Sequence, residues 1–120
     1  MEKLISLLFL ARDIAHREHL RTDSFAKHMA LGSFYDDIID NADAIAEAYM
    51  GSYGVLKDFP LEPSVSSPDI IKELEKQVTW IDNNRYKICD KSDTPLQNLI
   101  DAAVETYLST LYKLKRLKWL

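Results

Sequence analysis

All three histidines of the chain, His16, His19 and His28, fall within thirteen residues of one another. His16 and His19 have helical i,i+3 spacing, and Asp13 precedes His16 by three, so these side chains can face one point. Imidazoles grouped with carboxylates suit iron, zinc or manganese. The plainer alternative is that each histidine is a solvated surface residue, or, for His28 at the border of an apolar helix face, a hydrogen-bonded residue at the core's edge. Further on, a rotation of about 100° per residue places Asp36, Asp40, Asp43 and Glu47 on a single stripe, with Asp37 off it. Acids at this spacing repel by a few tenths of a kcal/mol per pair. No Lys or Arg occurs between Lys27 and Lys57. A bare solvent face accounts for such a stripe; so does neutralisation by external cations or a partner subunit. Glu18 shares a helix face with Leu7, Ala11 and Ile14, so its carboxylate must reach solvent at the end of a bundle or pair with a histidine or metal.

The elements that carry these residues read as long helices. Only three glycines and four prolines punctuate 120 residues. Leu4, Leu7, Leu8, Ala11, Ile14 and Ala15 give a first helix over about 2–20, with Ile5, Phe9 and Leu10 outside the stripe. A helix apolar on more than one side predicts a subunit contact there. Thr22-Asp23-Ser24 supplies cap chemistry for a second helix over about 24–50, stopped by Gly51, with a core face of Leu31, Phe34, Ile38, Ala42, Ile45 and Tyr49. Residues 52–67 lose the helical period and read as a connector. Sixteen extended residues span roughly 50 Å, against about 40 Å for a helix of roughly 27 residues. A crossover can therefore return along the whole bundle.

Ser67 as N-cap and Pro68 at the first helical position open a third helix over about 68–83, buried through Ile71, Leu74, Val78 and Ile81. Thr94-Pro95-Leu96-Gln97 reads as a capping box for a fourth helix over about 95–118, with Leu96, Leu99, Ile100, Ala103, Val104, Tyr107, Leu111 and Leu114 inward. Lys113, Lys115, Arg116 and Lys118 suit the negative pole of that helix's dipole. The fold class is all-α, a single four-helix bundle over 1–120 with a long crossover between helices two and three.

Composition narrows the function classes. Net charge is −4 with 28% charged residues, which excludes disorder and a generally basic nucleic-acid-binding surface, so nucleic acid is not an expected partner. Residues 1–63 carry 6 Lys and Arg against 11 Asp and Glu, a net −5, and residues 64–120 carry 9 against 8, a net +1. Metal or basic partners belong to the first half. The lone Cys89 excludes an internal disulfide and a cysteine-rich zinc site, and reads as a small half-buried apolar residue in a reducing compartment. The apolar run Leu4–Ala11 runs straight into Asp13, Arg17 and Glu18 without a small-residue cleavage pattern, so it reads as helix rather than leader. No run of about 18 apolar residues offers a membrane span. The expected location is cytoplasmic.

The segment from His16 to Gly51, HREHLRTDSFAKHMALGSFYDDIIDNADAIAEAYMG, resembles the signature of the Dps mini-ferritins. In that pattern a histidine ends the first helix, a second follows about twelve residues later, an aspartate fifteen beyond, and a glutamate four beyond that; His16, His28, Asp43 and Glu47 stand at those spacings. The fourth helix, opening on Asp93-Thr94-Pro95-Leu96, is similar to that family's last helix. The chain resembles still more closely a group of small phage-associated proteins of unknown function, through His16, His19, Thr22, Ser24, Ala26, His28, Ala30, Leu31, Gly32, Phe34, Tyr35 and Asp36, with Leu20 in place of a tryptophan.

The first resemblance implies a ferritin-like homo-oligomer, a dimer or larger shell. It would have a ferroxidase-type iron site shared across a two-fold axis, with Fe(II) as the bound metal and oxygen or peroxide as oxidant. Histidines of one subunit, His16 or His19 together with His28, would face Asp43 and Glu47 of another. The family's aspartate four residues after the second histidine is Gly32 here; Asp36 takes its place only if the geometry shifts by a turn. The Glu-x-x-His motif of an intra-subunit di-iron centre and a basic N-terminal tail are both missing. The alternative is a non-catalytic ferritin-like oligomer or phage accessory protein without iron chemistry.

Overall fold

Apolar residues at helical spacing, with few internal breakers, produce four α-helices. The structure, a computed structural model, describes residues 1–63 and 69–117. In chain order its helices are α1 (Glu2–Arg21), α2 (Phe25–Tyr53), α3 (Ile70–Ile88) and α4 (Thr94–Arg116), with no strand among the described residues. Among the described residues no helix is long and apolar enough to cross a membrane.

Side-chain contacts define the topology. His19 near the end of α1 meets His28 near the start of α2, so these two run antiparallel. Tyr53 at the end of α2 donates to Asp93 at the start of α4. Arg85 near the end of α3 binds Asp101 early in α4 at 2.5 Å, and Lys115 near the end of α4 binds Glu75 early in α3 at 2.6 Å. The result is an up-down-down-up order in which α1 packs on α2 and α3, and α4 packs on the same two. Since α2 and α3 are parallel, the chain must return the length of the bundle between them, as the connector's length predicts. Residues 54–63 begin that return along α1: the Glu2 carboxylate accepts from the amides of Lys57 (3.1 Å) and Asp58 (2.7 Å), and Phe59 lies 6.2 Å from Phe9.

That strap changes the reading of α1. Ile5 is 1% exposed and belongs to the chain's own core, while Phe9 is covered by Phe59. Part of the second apolar side of α1 is thus packed within the chain, while Phe9 and Leu10 stay half-buried.

Helix ends differ from the expected ones in four places. Gly51 does not stop α2; the helix continues to Tyr53 and ends at Gly54, whose φ of 112° suits a residue without Cβ. Ser67 and Pro68 lie outside the described residues, and the side chain that caps α3 is Asp69, accepting from the Lys72 amide at 3.1 Å. Asn83 and Asn84 do not end α3, which runs on to Ile88; Asn84 spends its amide on the Trp80 carbonyl. The cap of α4 is Asp93, accepting from the Leu96 amide at 3.3 Å, with Thr94 already helical. The capping box does not form, because Gln97 is 6% exposed and turned into the α3–α4 corner. There its oxygen accepts from Arg85 Nε at 2.9 Å and its nitrogen donates to the Cys89 carbonyl at 3.1 Å. The last three residues, including Trp119, lie outside the described part of the chain.

The core matches the apolar stripes closely. Leu4, Leu8, Leu31, Phe34, Ile38, Ile45, Leu74, Ile81, Ile100 and Tyr107 are fully buried, each aliphatic one contributing about 1.5–3 kcal/mol relative to an exposed position. Phe34 meets Tyr107 edge-on at 5.3 Å, and the Tyr107 hydroxyl donates to Gln77 at 2.7 Å. Burial pushes the Tyr107 phenol well above its ordinary range.

Candidate functional site

The α1–α2 turn is three residues long. Thr22 ends α1, its hydroxyl accepts the Ser24 amide at 3.1 Å, and Ser24 in turn caps α2 by accepting from Lys27. So short a turn leaves the last carbonyls of α1 without following amides. The Glu18 carbonyl takes the Thr22 amide. The His19 carbonyl is instead reached by His28 Nδ1, which donates to it at 2.8 Å; His19 Nδ1 donates to the His28 carbonyl at 2.6 Å. Because each acceptor is a carbonyl, each ring must carry its proton on Nδ1, an assignment made from the bonding pattern. In the neutral ring this leaves Nε2 with the free lone pair.

The two imidazoles stack, 3.7 Å between centroids and 18° between planes. His16 extends the arrangement. Its ring stacks on Tyr35 at 4.1 Å and 12°, while His19 meets both Tyr35 and His16 edge-on, at 5.3 and 6.1 Å. His19 and His28 are half-buried and His16 is exposed. The structure therefore gathers His16, His19 and His28, as their spacing predicts, into one four-ring cluster with Tyr35.

Two members of this cluster, Tyr35 and Gly32, were not visible from histidine spacing alone. A Cβ built on Gly32 would lie 3.1 Å from His19 Cε1 and 3.3 Å from its Nδ1. The missing side chain is what lets the His19 ring lie against α2. His28, Gly32 and Tyr35 stand at i, i+4 and i+7, one face of a helix, and that period is the signal that could have found them. It also explains the glycine where the mini-ferritin pattern has an aspartate: the His19 ring occupies the space beside it.

The carboxylates fall elsewhere. Asp36, Asp40, Asp43 and Glu47 are all exposed on α2, and none takes part in an ion pair among the described residues. Asp43 lies fifteen residues beyond His28 on the same helix, about 22 Å along the axis at 1.5 Å per residue, so the two cannot share an ion within one chain. Among the described residues no group of three or more His, Cys, Asp or Glu side chains is placed to hold a metal. Glu18, read as a carboxylate in need of a partner, has cations: Arg21 at 3.2 Å and Lys27 at 3.8 Å. Asp13 pairs with Arg17 at 3.2 Å. Cys89 is buried at the α3–α4 corner, where desolvation pushes its thiol up, as for an inert structural cysteine.

Fold and cluster together define a four-helix protein whose first helical hairpin is locked by stacked histidines. Residues 19–114 match the model of a family of unknown function, DUF5856, and the chain belongs to that family. The matched span holds His19, His28, Asp36, Asp43 and Glu47, and begins just after His16. No curated protein and no solved structure matches the chain.

Proposed function

We propose that this chain is a ferritin-like, Dps-related protein that assembles with copies of itself and binds iron between subunits. One subunit would supply His28 with His19 or His16. Another would supply Asp43 and Glu47, with Asp36 on the same acidic face. The observation that carries this reading is the exchange of Nδ1–H bonds between His19 and His28. Metal-binding histidines ordinarily donate their second N–H to a carbonyl or carboxylate, which fixes the ring and directs the other nitrogen to the ion.

The donor set suits the metal as half of a site. Imidazoles retain Fe(II) and carboxylates stabilise Fe(III); since no complete cluster forms among the described residues of one chain, this reading takes its carboxylates from a second copy. Bound iron would supply one-electron oxidation chemistry with oxygen or peroxide. Support for self-assembly also comes from charge. Among the described residues the α2 acids lack cations, whereas Lys113 and Arg116 take part in no ion pair and line a groove of about 640 Å³ with the apolar Phe25, Met29 and Leu117. An apolar groove with a basic rim and an unneutralised acidic face on one chain are complementary surfaces.

A second reading is favoured by Gly32. Its missing side chain seats the His19 ring, and the ring bonds satisfy carbonyls, so the cluster also works as a purely structural clamp in a scaffold without iron chemistry. Anaerobic Fe(II) titration separates the two, with oligomer mass read in parallel on wild type, Asp43→Asn and Glu47→Gln. These acids are exposed and have no ion-pair partner within the described chain, so their amides should leave the fold intact. Saturable binding by the wild-type oligomer that both variants lose supports the shared site. A correctly folded wild-type oligomer that takes up no Fe(II), or variants that bind as well as wild type, would establish the clamp reading instead.

A further inference from the structure

A pocket lies between α1 and the strap. Ser6, Phe9, Leu10, Arg12 and Asp13 of α1 face Phe59, Pro60, Leu61 and Glu62 across a pocket of about 320 Å³, the lower end of the size range for small-molecule sites. Its construction is fixed at one end by the Glu2 carboxylate, which accepts two strap amides and is held below the usual carboxylate range by them. Ser6, which lines the pocket, is 2% exposed, and its buried hydroxyl makes no hydrogen bond among the described residues. A helical serine ordinarily turns its hydroxyl back to the carbonyl four residues earlier, and leaving it unpaired costs about 1–3 kcal/mol.

The remaining polar groups have opposite signs. Asp13 is already neutralised by Arg17. Arg12 and Glu62 line the same pocket, and neither belongs to an ion pair among the described residues. Phe9 and Phe59 line the pocket beside them, their rings inclined at 41°.

We infer that this pocket binds a small apolar zwitterion, a free aromatic α-amino acid being the chemical class that fits. The carboxylate would be held by Arg12, the ammonium by Glu62, and the ring would lie against Phe9 and Phe59. The inference is independent of iron binding, since it uses none of the histidines or the α2 acids.

The test is an amide-resolved NMR titration of the full chain with L-phenylalanine, phenethylamine and 3-phenylpropionate as probes. The expected result is saturable shifts at Ser6, Phe9, Phe59 and Leu61 with L-phenylalanine, at least about tenfold tighter than with either singly charged analogue. Tenfold corresponds to about 1.4 kcal/mol. Arg12→Gln and Glu62→Gln, both surface changes, should each weaken L-phenylalanine about tenfold, and Arg12→Gln should leave phenethylamine unaffected. Shifts that do not saturate, shifts scattered over the molecule, or equal binding of all three probes would overturn the inference.

Discussion

His28 donates through Nδ1 to the carbonyl of His19, and His19 donates through its own Nδ1 to the carbonyl of His28, so the two rings bridge the α1–α2 turn and the first of these bonds caps the end of α1. Capping of a helix C-terminus usually falls to a glycine in the left-handed region. Here Thr22 follows α1 in extended conformation, φ −73° and ψ 147°, and a side chain from the next helix does that work. A cluster proposed to bind metal therefore also holds the hairpin together.

The first prediction follows from that double duty. His28→Ala removes a bond to an end carbonyl of α1 and half of the ring stack, and it leaves the His19 carbonyl unpaired in a half-buried place. The expected loss is about 1–3 kcal/mol of unfolding free energy, measured by urea denaturation without added metal. His16→Ala, whose ring is exposed and stacks only on Tyr35 and His19, should cost less than half as much. Equal costs for the two variants would remove the capping account.

The second concerns Gly32. In an ordinary helix interior Gly→Ala gains about 0.8–1 kcal/mol. At Gly32 the new methyl would sit 3.1 Å from the His19 ring, so the ring must retreat and its 2.6 Å bond to the His28 carbonyl must lengthen. Gly32→Ala in wild type should therefore show no gain, while in a His19→Ala background the same change should recover about 1 kcal/mol. The coupling read from this double-mutant cycle is the check. A full gain in the wild-type background would show that the ring is not seated on the glycine.

Much of the fold was readable from residue patterns, and where it was not the reasons are local. The α1–α2 hairpin, the buried stripe of α2 and a returning connector follow from periodicity, Ser24 and the length of the stretch read as connector, residues 52–67. The limits of α2 and α3 did not, because Gly51 and Asn83-Asn84 are only weak breakers inside helices whose buried faces continue past them. Thr94 and Gln97 carry the pattern of a capping box, yet burial of Gln97 against Arg85 and Cys89 wins over the local cap, and Asp93 one residue earlier takes the role. At the site, the clustering of His16, His19 and His28 was legible; the part played by Tyr35 and Gly32 required knowing which face of α2 meets α1. The strap's cover over Phe9 was hidden for a similar reason, since Phe59 stands in a stretch with no period to read.

The third prediction joins α2 to α4 through titration. Tyr53 donates its phenolic proton to the Asp93 carboxylate, and that bond, followed by desolvation and the nearby negative charge, raises the phenol from its ordinary 10.0 to about 12. A folded-state value above the unfolded one means that the native protein holds the extra proton between them. The contribution is therefore fully present below about pH 10 and is lost as pH rises through about 12. An ultraviolet phenolate titration of native protein should show, besides the buried Tyr107, a second late-titrating tyrosine that disappears in Tyr53→Phe and returns to the ordinary range in Asp93→Asn. The stability difference between wild type and Tyr53→Phe, measured by denaturant at successive pH values, should shrink across that window. Asp93 also caps α4 through its other oxygen, so Asp93→Asn, which keeps an oxygen for the Leu96 amide, is the variant that isolates the charge. If Tyr53 titrates near 10 in wild type, the link between the end of α2 and the start of α4 does not form in solution.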